Sequence, residues 1–176
     1  MNPSTSPSSS SSPLSRRAFL ARGTALAAGT ALAGVSVPAV HAGEDNTTRL
    51  ALIGCGGRGT GAAGDAFESK HGPVRLVAMA DLFPQRLEQS YRTLQEKYPN
   101  QVAVPPEQRF LGFDAYRKAI DCLRPGDVAM LTNFAGFRPG QLEYAVAKGV
   151  NVFMEKSFGP DAPSLRRIIA AGQAAK

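Results

Sequence analysis

Ile53-Gly54-Cys55-Gly56-Gly57-Arg58-Gly59 decides the fold, because it ends one short apolar run and opens an alanine-rich stretch. The run from Arg49 to Ile53 reads as a buried strand stopped by glycine, and Thr60 to Lys70 reads as a helix. Inside the turn the glycines fall as Gly54-x-Gly56-x-x-Gly59. Alone, that spacing is a weak signal. Between a strand and a helix it acquires mechanics: Gly54 permits the tight turn, Gly56 lets backbone approach a pyrophosphate, and Gly59 lets the helix pack close on the strand. Gly57 and Arg58 complete the loop, and the helix N-terminus attracts phosphate charge.

Strand and helix keep alternating beyond this turn. His71-Gly72-Pro73 stops the first helix, and Val74 to Ala80 is a near-continuous apolar run suited to a strand covered on both faces. Pro84 fits a first helical turn, and Leu87, Tyr91, Leu94 and Tyr98 recur at helical spacing until Pro99. Arg109 to Gly112 forms a short third strand, and Asp114 is placed to cap a helix through Tyr116 and Ile120. Val128 to Thr132 makes a fourth strand, Gln141 to Lys148 a helix closed by Gly149, Val150 to Met154 a fifth strand, and a last helix follows Pro163. The pattern predicts a Rossmann-type α/β fold: a doubly wound parallel sheet of about five strands with helices on both faces.

The second strand ends in Asp81. A carboxylate there accepts hydrogen bonds from the hydroxyls of an adenine-side ribose, which favours NAD. A 2'-phosphate brings a second negative charge against Asp81, but Arg58 or Arg86 supplies compensation, so NADP stays open. The competing reading of Asp81 is a turn residue capping Leu82-Phe83-Pro84. An S-adenosylmethionine methyltransferase also uses a glycine loop and an acid after strand two, but apolar Ile53 stands where those enzymes commonly carry an acidic residue.

Composition narrows the class further. The 176-residue chain has a formal charge of +6, yet Arg16, Arg17 and Arg22 precede Ala42 while every acidic residue follows it, leaving +3 for residues 43–176. The remaining basic residues are scattered among acids, which describes a solvated surface rather than a nucleic-acid footprint. Cys55 and Cys122 form no metal-ligand or redox spacing and read as small buried hydrophobes.

Residues 1–42 read as an address. After a Ser/Pro-rich start, Ser15-Arg16-Arg17-Ala18-Phe19-Leu20 precedes a charge-free run from Gly23 to Val40 and then Val40-His41-Ala42. Charged region, weakly apolar region and small-residue cleavage site occur in that order. The segment resembles twin-arginine signals, which implies export through the Tat machinery and an extracytoplasmic, for instance periplasmic, protein comprising residues 43–176.

From Arg49 onward the chain resembles the N-terminal NAD(P)-binding domain of the glucose-fructose oxidoreductase, inositol dehydrogenase and MocA family. Leu52 to Gly59 looks like that family's opening, Val77-Ala78-Met79-Ala80-Asp81 like its second strand, and Val152-Phe153-Met154-Glu155-Lys156 like its Glu-Lys-Pro motif. The resemblance implies that Lys156 is catalytic, orienting a substrate hydroxyl and moving its proton, with Glu155 beside it and Thr132 and Asn133 beneath the nicotinamide ribose. Partial burial at a strand end is expected to lower the Lys156 pKa toward useful proton transfer. Two positions depart from the family. Ser157 replaces the motif proline, and Asn133-Phe134-Ala135 replaces a proline-containing loop, so the placement of Lys156 is expected to be looser.

The family continues into a substrate domain, which these residues are expected to lack. The sequence therefore predicts the NAD(P)-binding part of an exported oxidoreductase acting on a sugar, polyol or related hydroxyl compound. A non-catalytic nucleotide-binding or interaction module, and a truncated gene product, are the alternatives.

Overall fold

The computed structural model describes residues 46–175. The Ser/Pro-rich start, the twin-arginine segment and its cleavage site lie outside the described residues. Strands β1 (Thr48–Ile53), β2 (Val74–Asp81), β3 (Arg109–Leu111), β4 (Val128–Leu131) and β5 (Asn151–Met154) form one sheet in the order β3-β2-β1-β4-β5, parallel at every pairing. Between and after them run α1 (Gly57–Phe67), α2 (Pro84–Lys97), α3 (Ala115–Asp121), α4 (Arg138–Ala147) and α5 (Ala162–Ala174). The predicted doubly wound parallel sheet is the fold of this chain.

Alternation along the strands sorts the core into two layers. Leu50 and Leu52 of β1 pack with Leu76, Met79 and Met130 under Ala62, Ala63 and Phe67 of α1 and Leu87 and Leu94 of α2. Ala51 and Ile53 pack on the opposite side with Ala129 and Leu131, under Ala115, Ala119 and Ile120 of α3, Leu142 and Ala145 of α4 and Ala171 of α5. The β1–β2 register shifts between Leu50 and Ala51, so that Leu50 faces Leu76 but Ala51 faces Ala78. The extra residue in β2 keeps both Leu76 and Met79 in the first layer despite their odd spacing.

Several predicted boundaries move. Helix α1 begins at Gly57 rather than Thr60, and α4 begins at Arg138 rather than Gln141. Both early starts have a glycine or proline in the first turn, where no intrahelical N–H bond is lost. Asp114 sits at the N-cap of α3 but makes no cap hydrogen bond; it lies 3.8 Å from Arg117 instead. Asp161, not predicted, caps α5 by accepting from the Ser164 N–H at 2.8 Å. Cys55 is buried as read, whereas Cys122 is only half-buried. No helix among the described residues is long and apolar enough to cross a membrane.

Candidate functional site at the strand-order switch

Strand order reverses between β1 and β4, and open α/β sheets bind ligands in the crevice beyond the carboxyl ends of such strands. The glycine turn fills one side of that crevice. Gly54 has φ +99, and a Cβ there would stand 2.5 Å from the Asn133 nitrogen, so conformation and space both require glycine. A Cβ on Gly59 would stand 2.1 Å from the Gly54 carbonyl oxygen and 2.5 Å from Thr132 Oγ1. Nothing lies within 4 Å of a Cβ built on Gly56 or Gly57. The protein itself therefore dictates glycine at two positions of the motif and leaves Gly56 and Gly57 facing open space.

Thr132 locks the turn to β4. Its N–H donates to the Ile53 carbonyl at 2.9 Å, and its hydroxyl donates to the Gly54 carbonyl at 2.7 Å. Asp81 locks the turn to β2: its Oδ2 accepts from the Cys55 N–H at 2.6 Å and its Oδ1 from the Phe83 N–H at 2.8 Å. Burial, with the neighbouring Asp81 charge adding to it, pushes the Cys55 thiol well above its ordinary range, so Cys55 packs as a neutral thiol. Asp81 thus holds two backbone amides, including the turn contact its competing reading required, while its side chain stays only half-buried at the edge of a cavity.

The cavity measures about 210 Å³ and brings Gly54, Gly56, Asp81, Thr132 and Asn133 together. Arg86 joins them and stacks over Phe83 at 4.8 Å. Arg58 does not: its guanidinium pairs with the Glu155 carboxylate and lies 3.9 Å from Asp65. Of the two arginines offered as partners for a 2'-phosphate, only Arg86 lines the cavity.

Glu155 and Lys156 follow β5 and lie outside that cavity lining. Glu155 accepts the Lys156 N–H through Oε1 at 2.9 Å, and this bond, with Arg58 beside it, holds the carboxyl below its ordinary pKa. The Lys156 side chain is exposed, which corrects the expected partial burial; it lies in the loop after β5, whose next two residues, Ser157 and Phe158, are exposed as well.

A residue outside the motif ties that loop down. Arg138, the first residue of α4, is buried, and its guanidinium donates to the carbonyls of Asn133, Glu155 and Ser157. One planar fork thereby fastens the loop after β4 to the loop after β5. Burial pulls this guanidinium below the ordinary arginine pKa, and Glu155 opposes the shift. A sequence signal existed: a cation in the first turn of a helix opposes the macrodipole and needs another reason to be there.

Also missed were the aromatic walls and one polar group. Phe113, Phe134 and Phe137 line the cavity, the Phe137 ring centroid lying 5.9 Å from that of Phe113 and 6.2 Å from that of Phe134. All three stay exposed, at 69%, 70% and 46%, which is unusual for three neighbouring phenylalanines without a ligand to cover them. Gln141 lines the same cavity from α4.

No protein-family model matches the chain, and no curated protein matches it. Solved structures do. The chain is similar to myo-inositol 2-dehydrogenase from Lactobacillus plantarum, with 25% identity and a TM-score of 0.56 over 73% of this chain and 34% of that one. It is similar to scyllo-inositol dehydrogenase from Lactobacillus casei, solved with NAD(H) and scyllo-inositol, with 25% identity and a TM-score of 0.52 over 73% of this chain and 32% of that one. It shares its fold with the WlbA dehydrogenase from Bordetella pertussis, solved with NADH and UDP-GlcNAcA, at 20% identity and a TM-score of 0.55 over 74% of this chain and 33% of that one. The chain spans about a third of the length of these structures. Two of the three are inositol dehydrogenases, an enzyme type of the family that the sequence resembles.

Proposed function

We propose that this chain is the NAD-binding part of an exported oxidoreductase that moves hydride between a nicotinamide and a hydroxyl compound of the sugar or polyol class. The observation that carries the reading is the division of labour in the glycine turn. Gly54 and Gly59 are required by packing against Asn133 and Thr132, while Gly56 and Gly57 front open space where a pyrophosphate fits. The first turn of α1 has no side-chain cap, so its amides are available to an anion.

Asp81 retains acceptor lone pairs beyond the two amides it holds, enough to take ribose hydroxyls at the cavity edge. Its charge favours NAD, and Arg86 is the residue through which NADP would be tolerated. Thr132 and Asn133 stand at the switch point where a nicotinamide ribose would rest. The nicotinamide, when bound, accepts or donates the hydride. Lys156 orients the substrate hydroxyl and exchanges its proton; its backbone N–H is held by the Glu155 carboxylate, and the carbonyls of its neighbours Glu155 and Ser157 by the Arg138 fork. The inositol dehydrogenases of similar fold support this class of substrate, and the twin-arginine segment of residues 15–20 supports export to an extracytoplasmic compartment.

Calorimetric titration of the chain with NAD, NADP and S-adenosylmethionine tests the reading. Saturable binding of NAD in preference to the other two is expected; folded protein that takes up S-adenosylmethionine or no nucleotide contradicts it.

A further inference from the structure

Gln141 carries an unexplained cost. The residue is 4% exposed and lines the cavity at the switch point, and its Oε1, like Asn133 Oδ1 in the same lining, is buried with no hydrogen-bond partner among the described residues. A buried acceptor left unpaired costs about 1–3 kcal/mol, and leucine at the same place would avoid that penalty. Such a group needs a partner that enters from outside the chain.

The position of the cavity limits what that partner is. A dinucleotide with its pyrophosphate on the first turn of α1 and its ribose on Asp81 must send its base past Asp81, into the space walled by Phe83, Phe113, Phe134 and Phe137. Phenylalanine rings take the faces of a planar heterocycle and say nothing about its edge. The edge is left to the polar groups of the wall. Asn133 belongs to the ribose end of the site, which leaves Gln141 for the base; an adenine joined to ribose at N9 has one kind of N–H donor, the exocyclic amine, for that acceptor to meet.

We propose that Gln141 is a specificity-determining residue that accepts a hydrogen bond from the exocyclic amine of the bound base, selecting adenine over its deaminated counterpart. The inference rests on the dinucleotide reading above and adds the chemical group by which the base is chosen. Hypoxanthine puts a carbonyl oxygen where the amine was, setting acceptor against acceptor. Discrimination by an unpaired polar group in a dry pocket exceeds that of apolar packing alone.

The experiment compares NAD with nicotinamide hypoxanthine dinucleotide on the full chain and on its Gln141→Leu and Gln141→Met variants, by calorimetry, with thermal unfolding of each protein recorded without nucleotide. The unsubstituted chain is expected to prefer NAD by about tenfold, the worth of one buried hydrogen bond and its mismatch. Both variants are expected to bind the two dinucleotides within about twofold of each other and to melt no lower than the unsubstituted chain, since an apolar group relieves the orphaned acceptor. Equal affinity of the unsubstituted chain for both dinucleotides, or a preference that persists in both variants, overturns the assignment of Gln141 while leaving the dinucleotide reading standing. Absence of any NAD binding overturns both.

Discussion

The Gly54 carbonyl oxygen lies 2.1 Å from the place a Cβ would occupy on Gly59, so strand β1 and helix α1 are as close as backbone allows at the start of the site. Because the obstacle is backbone held by Thr132, it cannot swing aside as a flexible side chain would. Gly59→Ala is expected to destabilise the protein by at least about 2 kcal/mol through overpacking. Urea unfolding monitored by circular dichroism checks this, and an unchanged midpoint would remove the close approach from the account.

Thr132→Val keeps the shape of the side chain and deletes its donor to the Gly54 carbonyl at 2.7 Å. A loss of about 1–2 kcal/mol is expected, with β4 otherwise intact. Hydrogen exchange at Gly54 and Cys55 should quicken before the rest of the sheet does, and protection that stays uniform would show that Thr132 does not hold the turn.

Arg138→Met preserves length and removes the fork between the loops after β4 and β5. Three carbonyls, those of Asn133, Glu155 and Ser157, lose a donor, so a cost of about 2–4 kcal/mol is expected. Arg138→Lys should recover little of it, because a point ammonium cannot span the three carbonyls that a planar guanidinium reaches. Thermal unfolding of the two variants decides: a lysine variant as stable as the parent would mean that charge, not the fork, matters.

Glu155 supplies the pH dependence. Its pKa in the folded protein lies below the ordinary carboxylate value, through the Lys156 amide first and Arg58 next. A lowered folded-state pKa contributes stability above the unfolded-state value near 4.5, and that contribution is lost as pH falls through the folded-state value. The melting temperature should therefore fall less steeply on acidification below that point in Glu155→Gln than in the parent. Identical slopes would show that the Lys156 and Arg58 contacts do not bind the carboxylate.

Much of this was legible in the sequence because each device is local. A strand, a turn and a helix follow one another within residues 48–67, and glycine spacing plus the apolar run is enough to read them. Asp81 was readable from its place at a strand end. Arg138 and Gln141 were not, because their meaning depends on what faces them: Arg138 reaches carbonyls up to 19 residues away along the chain. The three phenylalanines come together from the loops after β3 and β4, across the ends of the two strands that stand between them in the sheet. Lys156 was read from resemblance, and the burial inferred for it failed because burial belongs to packing rather than to motif.

Asp81 adjusts the choice between cofactors. Asp81→Ala is expected to shift the ratio of NAD to NADP affinity toward NADP by about tenfold, since one charge and its repulsion are removed. The variant also frees the Cys55 and Phe83 amides, so Asp81→Asn serves as the control that keeps an acceptor without the charge. Competitive titration gives the ratio, and a ratio equal to the parent's in both variants would reduce Asp81 to its turn contacts.

The most direct test of the central claim is the NAD affinity of Gly56→Val beside its thermal unfolding. A Cβ at residue 56 meets nothing within 4 Å in the protein, and its backbone is in the extended region that valine accepts. The account predicts a melting temperature close to the parent's and NAD binding weakened by at least about tenfold, because the new side chain occupies the space reserved for the pyrophosphate. A variant that folds as the parent does and binds NAD equally well would contradict the placement of the cofactor on this turn.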